Sequence, residues 1–232
     1  MKSPRKFMHK ILILEDEDLI ATGSEKAVYP YPDDNLKLVK VLLKKTPQGN
    51  RSVLLNVLAR RFPSLLWRQI SKEYGEYTRL MLANQNHDFI PPISHLFGFV
   101  TTQKGLACVT EKVTDNDGNP APTLRKLLES NQFNDEILKT LNTMITKIYS
   151  LDIRAGDITA SNIVVGYRQS GKRESVLVDG FGDIHAIPVR SINSWFNKIG
   201  LDDSFKRLGT KTGLNWIKKK RQFAIHGTVK KS

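Results

Sequence analysis

Three oxygen-bearing side chains in the second half of the sequence have types and spacing suited to phosphoryl chemistry. Residues 162–179 (NIVVGYRQSGKRESVLVD) read as two apolar strands around a polar turn. A hairpin symmetric about Ser170-Gly171 sets Asn162 opposite Asp179 at its open end. An Asn–Asp pair on a rigid hairpin can hold Mg²⁺, which takes one or two protein oxygens and completes its shell with phosphate and water. Asp157 lies five residues before Asn162, so its carboxylate is placed to accept a proton from an attacking hydroxyl. Each residue also has an ordinary reading: Asn162 ends a loop, Asp179 caps a turn before Gly180, and an Asp–x4–Asn spacing arises by chance.

A second group lies upstream. In the stretch Leu36-Lys37-Leu38-Val39-Lys40-Val41-Leu42, alternation puts Lys40 on the face of Leu36, Leu38 and Leu42. A buried ammonium needs a carboxylate, and Glu73, bordering the apolar stripe of a predicted helix, is the candidate. Glu76 points further round toward Arg79. Otherwise Lys40 is a snorkelling edge lysine. Gly23 and Ser24 lie in a turn whose backbone N–H groups can approach phosphates, and an ordinary hairpin turn explains them equally well.

In order these features are a glycine-bearing turn, a strand lysine, a helix glutamate, Asp–x4–Asn and a strand ending in Asp-Gly-Phe-Gly. The order resembles the protein-kinase-like fold. More narrowly, the stretches TGSEKAVYPYPDD, LKLVKV, KEYGEYTRL, DITASNIVV and LVDGFGDIHAIP resemble the YrbL family, the PhoP regulatory network proteins. The resemblance implies a bacterial protein that binds ATP and Mg²⁺ between two lobes, with Lys40 orienting phosphates, Glu73 fixing Lys40 and Asp157 as base. It also implies that Asn162 and Asp179 hold the metal, and that Thr110-Glu111-Lys112 lines the adenine pocket, with Glu111 binding the cofactor. The sequence departs from the protein-kinase pattern at Ala155-Gly156, where His-Arg is usual, and at Thr159, where lysine is usual. About fifty residues follow Asp179 without an Ala-Pro-Glu segment, so a non-protein acceptor fits at least as well as a peptide. A pseudokinase acting as a regulatory adaptor is the alternative.

The elements that must position these groups follow from periodicity. Short apolar runs between turns predict strands over 19–22, 27–31, 36–43, 93–101 and 106–113. Helical spacing from Ser64 to Leu82 interrupts them. The polar stretch 114–122 is a connector. Beyond it a short helix at 124–128 precedes a longer one, N-capped by Asn134, whose stripe runs from Ile137 to Leu151. The expected class is α+β, two-lobed and protein-kinase-like. A small antiparallel sheet plus helix (1–113), the connector and a short, mainly helical second lobe (123–232) compose it, with Trp195, Phe196, Phe205 and Trp216 in the core of a helical tail.

Charge narrows the partners. Thirty-six Lys and Arg against 23 Asp and Glu leave +13, a field that attracts phosphates, nucleic acid or anionic membranes. The excess sits in residues 37–79 and 198–232, each with ten basic and two acidic side chains. The run Lys218 to Arg221 is a candidate contact for an anionic surface or regulatory protein. One cysteine, Cys108, excludes a disulfide-stapled scaffold. Ile11 to Leu14 is too short for a signal peptide, and no stretch approaches a membrane span. A cytoplasmic location is expected. Asp115 to Asn119 reads as a solvated turn, not a calcium loop, and the five histidines lack ligand spacing.

Overall fold

A computed structural model describes residues 11–23, 26–43, 68–86, 88–182 and 193–225. Ser24, the predicted helical residues 64–67, and His9, His87, His185 and His226 lie outside the described residues. The chain divides into two compact units, residues 1–58 with 96–112, and residues 59–95 with 113–232. The predicted helix therefore groups with the second unit.

The first unit is a five-stranded antiparallel sheet of order β1-β2-β3-β5-β4. Its strands are β1 (Ala21–Thr22), β2 (Lys26–Tyr31), β3 (Asp34–Leu42), β4 (Leu96–Thr102) and β5 (Gly105–Glu111). Alternation sends Val39 and Val41 into an apolar cluster with Leu12, Leu14, Ala27, Tyr29 and Ala107. Leu12 and Leu14 are buried while Ile11 and Ile13 are exposed. Gln103 holds that segment in place by accepting from Leu14 N at 3.0 Å and donating to its carbonyl. The β2–β3 turn is tied by Asp34, which accepts from Leu36 N at 2.9 Å and pairs with Lys37 at 2.8 Å.

The expected strand over 93–101 begins later. Pro91-Pro92 interrupts the chain, and Ile93 instead bridges Leu177 in the second unit, with Ser94 N donating to the Leu177 carbonyl at 3.0 Å.

The second unit contains helices α1 (Arg68–Ala83), α2 (Leu124–Glu129), α3 (Asp135–Ser150) and α4 (Ser194–Thr212). Its two hairpins are β6 (Ile163–Tyr167) with β7 (Arg173–Leu177), and β8 (Asn215–Ile217) with β9 (Gln222–Ala224). Asn134 caps α3 through the Ile137 N–H. The stripe Ile137, Leu141, Met144, Ile145 and Ile148 is buried, and α3 packs on β7 and β9. Asn142 binds both the N–H and the carbonyl of Phe223, joining β9 to α3.

The tail differs from the helical expectation. Residues 215–224 form a hairpin because Trp216 and Phe223 both reach Phe205, at ring separations of 5.2 and 6.3 Å. Trp195 and Phe196, expected in the core, are 61% and 41% exposed. They lie in the first turn of α4, while the buried aromatic is Phe205, nine residues after Phe196. The basic run forms the β8–β9 turn, where Arg221 stacks over Tyr149 at 4.3 Å and Lys218 and Arg221 face Asp202.

Glu76, only 4% exposed, fastens α1 to the loop after α3. Its carboxylate takes two hydrogen bonds from Arg79, at 3.1 and 2.6 Å, and accepts from the backbone N of Arg154 at 2.9 Å and its guanidinium at 3.3 Å. Arg79 also donates to the Asp152 carbonyl. The carboxylate hydrogen bond raises the Arg79 pKa above its ordinary value.

Glu76→Ala strands a half-buried arginine pair and a backbone N–H, and is expected to destabilise the chain by about 3 kcal/mol, read by urea unfolding; a loss below about 0.5 kcal/mol contradicts this role. The hydrogen bond from Lys37, then that from Leu36 N, lowers the Asp34 pKa below its ordinary value. That contribution to stability is therefore present above the unfolded-state pKa and fades as pH falls through the folded one. An NMR titration of the carboxyl should move up in Lys37→Gln.

Candidate functional site

The loop joining α3 to β6 is held at several points. Asp152 adopts φ 49°, a left-handed conformation that aspartate tolerates better than most residues. Its carboxylate accepts from Ser194 Oγ at 3.2 Å and Asn197 Nδ2 at 2.9 Å. Ile153 is fully buried, and Ala155 bridges Phe181 and Gly182. With Arg154 bound by Glu76, the chain leaves this anchor with Asp157 exposed to solvent.

Asn162 donates through Nδ2 to the Asp157 carbonyl at 2.9 Å and to its carboxylate Oδ2 at 3.3 Å. Both partners are acceptors, so the amide orientation is fixed and Oδ1 remains as its acceptor atom. The hairpin register is one residue from the expected one. Ile163 pairs with Leu177, and Val178 N donates to the Asn162 carbonyl at 2.8 Å, so Asn162 faces Val178. The reason is the five-residue loop 168–172, centred on Ser170 rather than between Ser170 and Gly171. Asp179 lies just past the paired strands, at the turn where Gly180 takes φ 78°.

Gly180 joins the parts. Its carbonyl accepts from Asp157 N at 3.2 Å, while its N–H is shared between Asp179 Oδ1 at 2.8 Å and Glu73 Oε1 at 3.3 Å. A Cβ at Gly180 would lie 2.3 Å from the Asp157 carbonyl oxygen and 3.0 Å from Asn162 Nδ2. Gly182, at φ 93°, passes as close to Lys72, where a Cβ would meet the backbone at 2.7 Å. Glu73, Asp157, Asn162 and Asp179 are thus assembled around one backbone crossing in the second unit.

The other expected site residues belong to the first unit. Lys40 is buried in β3, in register with Val28 and Cys108, on the face opposite Val39 and Val41. Of the residues expected to share an apolar face with it, Leu36 is 41% exposed and Leu42 is buried, while the apolar cluster that holds Val39 and Val41 lies on the other side of the sheet. Glu111 is buried at the end of β5, paired in register with Lys37. The Gly23 N–H donates to the Lys26 carbonyl at 2.9 Å and closes the β1–β2 turn, so this donor must be released before it can meet a phosphate.

Sequence reasoning did not recover the bond from Glu76 to the Arg154 backbone, nor the two glycine approaches. The available signal for the latter was Gly-x-Gly directly after Asp179. Among the described residues no group of three His, Cys, Asp or Glu side chains is arranged to hold a metal ion. Asn162 and Asp179 offer instead two hard oxygen donors, a set that suits Mg²⁺ with phosphate and water completing the shell. Asp115 behaves as a turn residue, accepting from the backbone of Asp117 and Asn119. His95 meets Tyr77 edge-on. No helix among the described residues is long and apolar enough to cross a membrane.

No curated protein matches the sequence. Among solved structures, one described as "PpkA-294 apo form" is similar, with 18% identity and a TM-score of 0.43 over 69% of this chain and 56% of that one. The chain thus spans little more than half the length of that structure. Residues 12–213 match the model of the family described as "PhoP regulatory network protein YrbL". Because that match covers most of the sequence, the chain belongs to this family.

Proposed function

We propose that this protein is a two-lobed, protein-kinase-like phosphotransferase that binds ATP with Mg²⁺. The observation that carries the reading is the contact of Asp157, Asn162 and Gly180, with Asp179 adjoining, at the end of a rigid hairpin. In this reading Asn162 Oδ1 and the Asp179 carboxylate hold the metal, which supplies neutralisation of phosphate charge. Asp157 takes the proton of the acceptor hydroxyl, and Asn162 Nδ2 orients its carboxylate. Lys40 orients the phosphates, Glu73 supports Lys40 as well as the Gly180 N–H, and Glu111 contributes to adenine binding. Ser24 and Gly23 cover the phosphates.

A regulatory adaptor without catalysis is the second reading. It is favoured by Thr159, which stands where a phosphate-neutralising lysine is usual in protein kinases, and by the engaged N–H of Gly23.

Ligand-linked stability separates the two. Mg²⁺ and ATP at one hundred times the Kd should stabilise the fold by about 2.7 kcal/mol, and a melting temperature unmoved by saturating Mg·ATP contradicts nucleotide binding. Where ATP binds, Asp157→Asn should keep that shift while ADP release falls by about two orders of magnitude or more; equal rates remove Asp157 as base. The proposed pairing of Lys40 with Glu73 is read by a double-mutant cycle of Lys40→Met and Glu73→Gln on nucleotide affinity. A coupling of about 1 kcal/mol or more supports it, and strict additivity contradicts it.

A further inference from the structure

A cavity of about 380 Å³ opens beside Asp157 within the second unit. Its walls include Asp157 and Thr159 from the loop, Arg125 and Glu129 from α2, and Arg207 and Lys211 from α4. Three cations from two helices therefore face the space next to the candidate base. We propose that this cavity is the acceptor subsite and that it takes a small hydroxyl compound bearing a phosphate or carboxylate group. The inference rests on the phosphotransferase reading and adds its substrate class.

Several observations converge on an anion. Arg207 and Lys211 are four residues apart on one helix face, where like charges repel. The dipole at the end of α4 accounts for Lys211 in the last turn, but not for Arg207 or for Arg125 on another helix. Arg207 donates only to the neutral Ser204 hydroxyl among its described contacts, at 3.1 Å. Arg125 and Lys211 form no ion pair with another described residue, although Glu129 lies four residues after Arg125. The walls thus carry three cations against the two carboxylates Glu129 and Asp157, and this cationic excess lowers the free energy of an entering anion. A volume near 380 Å³ suits a metabolite-sized ligand rather than a folded partner.

The anionic group would lie against Arg125, Arg207 and Lys211, directing a hydroxyl toward Asp157. In the transfer step the hydroxyl oxygen forms a bond to the γ-phosphorus as the bond from that phosphorus to the β,γ-bridging oxygen breaks. The released electron pair leaves with ADP, and the hydroxyl proton passes to Asp157.

The test uses the full chain and a matched panel of hydroxyl compounds: glycerol 3-phosphate and phosphoserine, glycerate, neutral glycerol, and cationic choline. Binding is measured by calorimetry without nucleotide, in wild type, in Lys211→Gln and in the triple variant Arg125→Gln/Arg207→Gln/Lys211→Gln. Binding of at least one anionic member, weakened at least tenfold in the triple variant and absent for glycerol and choline, is expected. Mg·ATP affinity should be unchanged by the triple substitution. Equal binding of choline, no anionic binding, or anionic binding indifferent to the substitutions overturns the inference. Loss of Mg·ATP binding in the triple variant also overturns it, because the cations would then serve the nucleotide. If the anions bind as expected but wild type shows no Mg·ATP affinity, the phosphotransferase reading fails while the anion site stands. Comparison of unliganded melting temperatures, with Lys211→Gln as the milder variant, separates loss of the site from loss of fold.

Discussion

Two stretches of backbone cross so closely in the second unit that neither tolerates a side chain between them. A Cβ at Gly180 would sit 2.3 Å from the Asp157 carbonyl oxygen, and one at Gly182 would sit 2.7 Å from the backbone of Lys72. Both glycines also take positive φ, which disfavours other L-residues. The proximity lets Asp157 N donate to the Gly180 carbonyl and Gly182 N donate to the Arg154 carbonyl. It therefore joins the loop after α3, the open end of the β6–β7 hairpin and helix α1 in one place. Three carboxylates and an amide on those separate elements become neighbours as a consequence.

The crossing is held by a buried polar shell. Glu76 takes four hydrogen bonds from Arg79 and Arg154, and Arg79 continues to the Asp152 carbonyl. Asp152, in its left-handed conformation, is in turn held by Ser194 and Asn197 at the start of α4. An unpaired buried carboxylate is costly, so this shell favours one path for the loop over others. The apolar stripe of α3 is buried, and Phe205, against which Trp216 and Phe223 of the C-terminal hairpin pack, meets Tyr149 near the end of that helix at a ring separation of 6.0 Å.

Periodicity made α3, its Asn134 cap, the strands of the large sheet and the β6–β7 pair legible, because each depends on neighbours close in sequence. The candidate site was legible only as residue types at suitable spacing, and Asp157, Asn162 and Asp179 lie in one region. Most of what escaped reading depends on partners distant in the chain, the hairpin register excepted. The hairpin register turned on whether its loop had an odd or even number of residues. The C-terminal hairpin exists because Trp216 and Phe223 find Phe205, and aromatic composition alone does not say whether Trp195 or Phe205 turns inward. Alternation puts Lys40 on the face of Leu42, and both are buried, while the cluster holding Val39 and Val41 lies on the opposite face of the strand. The cationic cavity draws Arg125, Arg207 and Lys211 from helices some eighty residues apart, a convergence no local pattern carries.

We propose that the crossing holds a nucleotide-bound divalent cation. Substituting Mn²⁺ for Mg²⁺ and recording amide NMR signals with ATP present reports distance from the metal directly. Selective broadening of Asp157, Asn162, Asp179 and Gly180, reversed by excess Mg²⁺, is the predicted result. Broadening confined to other surfaces, or none at saturating Mn·ATP, would contradict it.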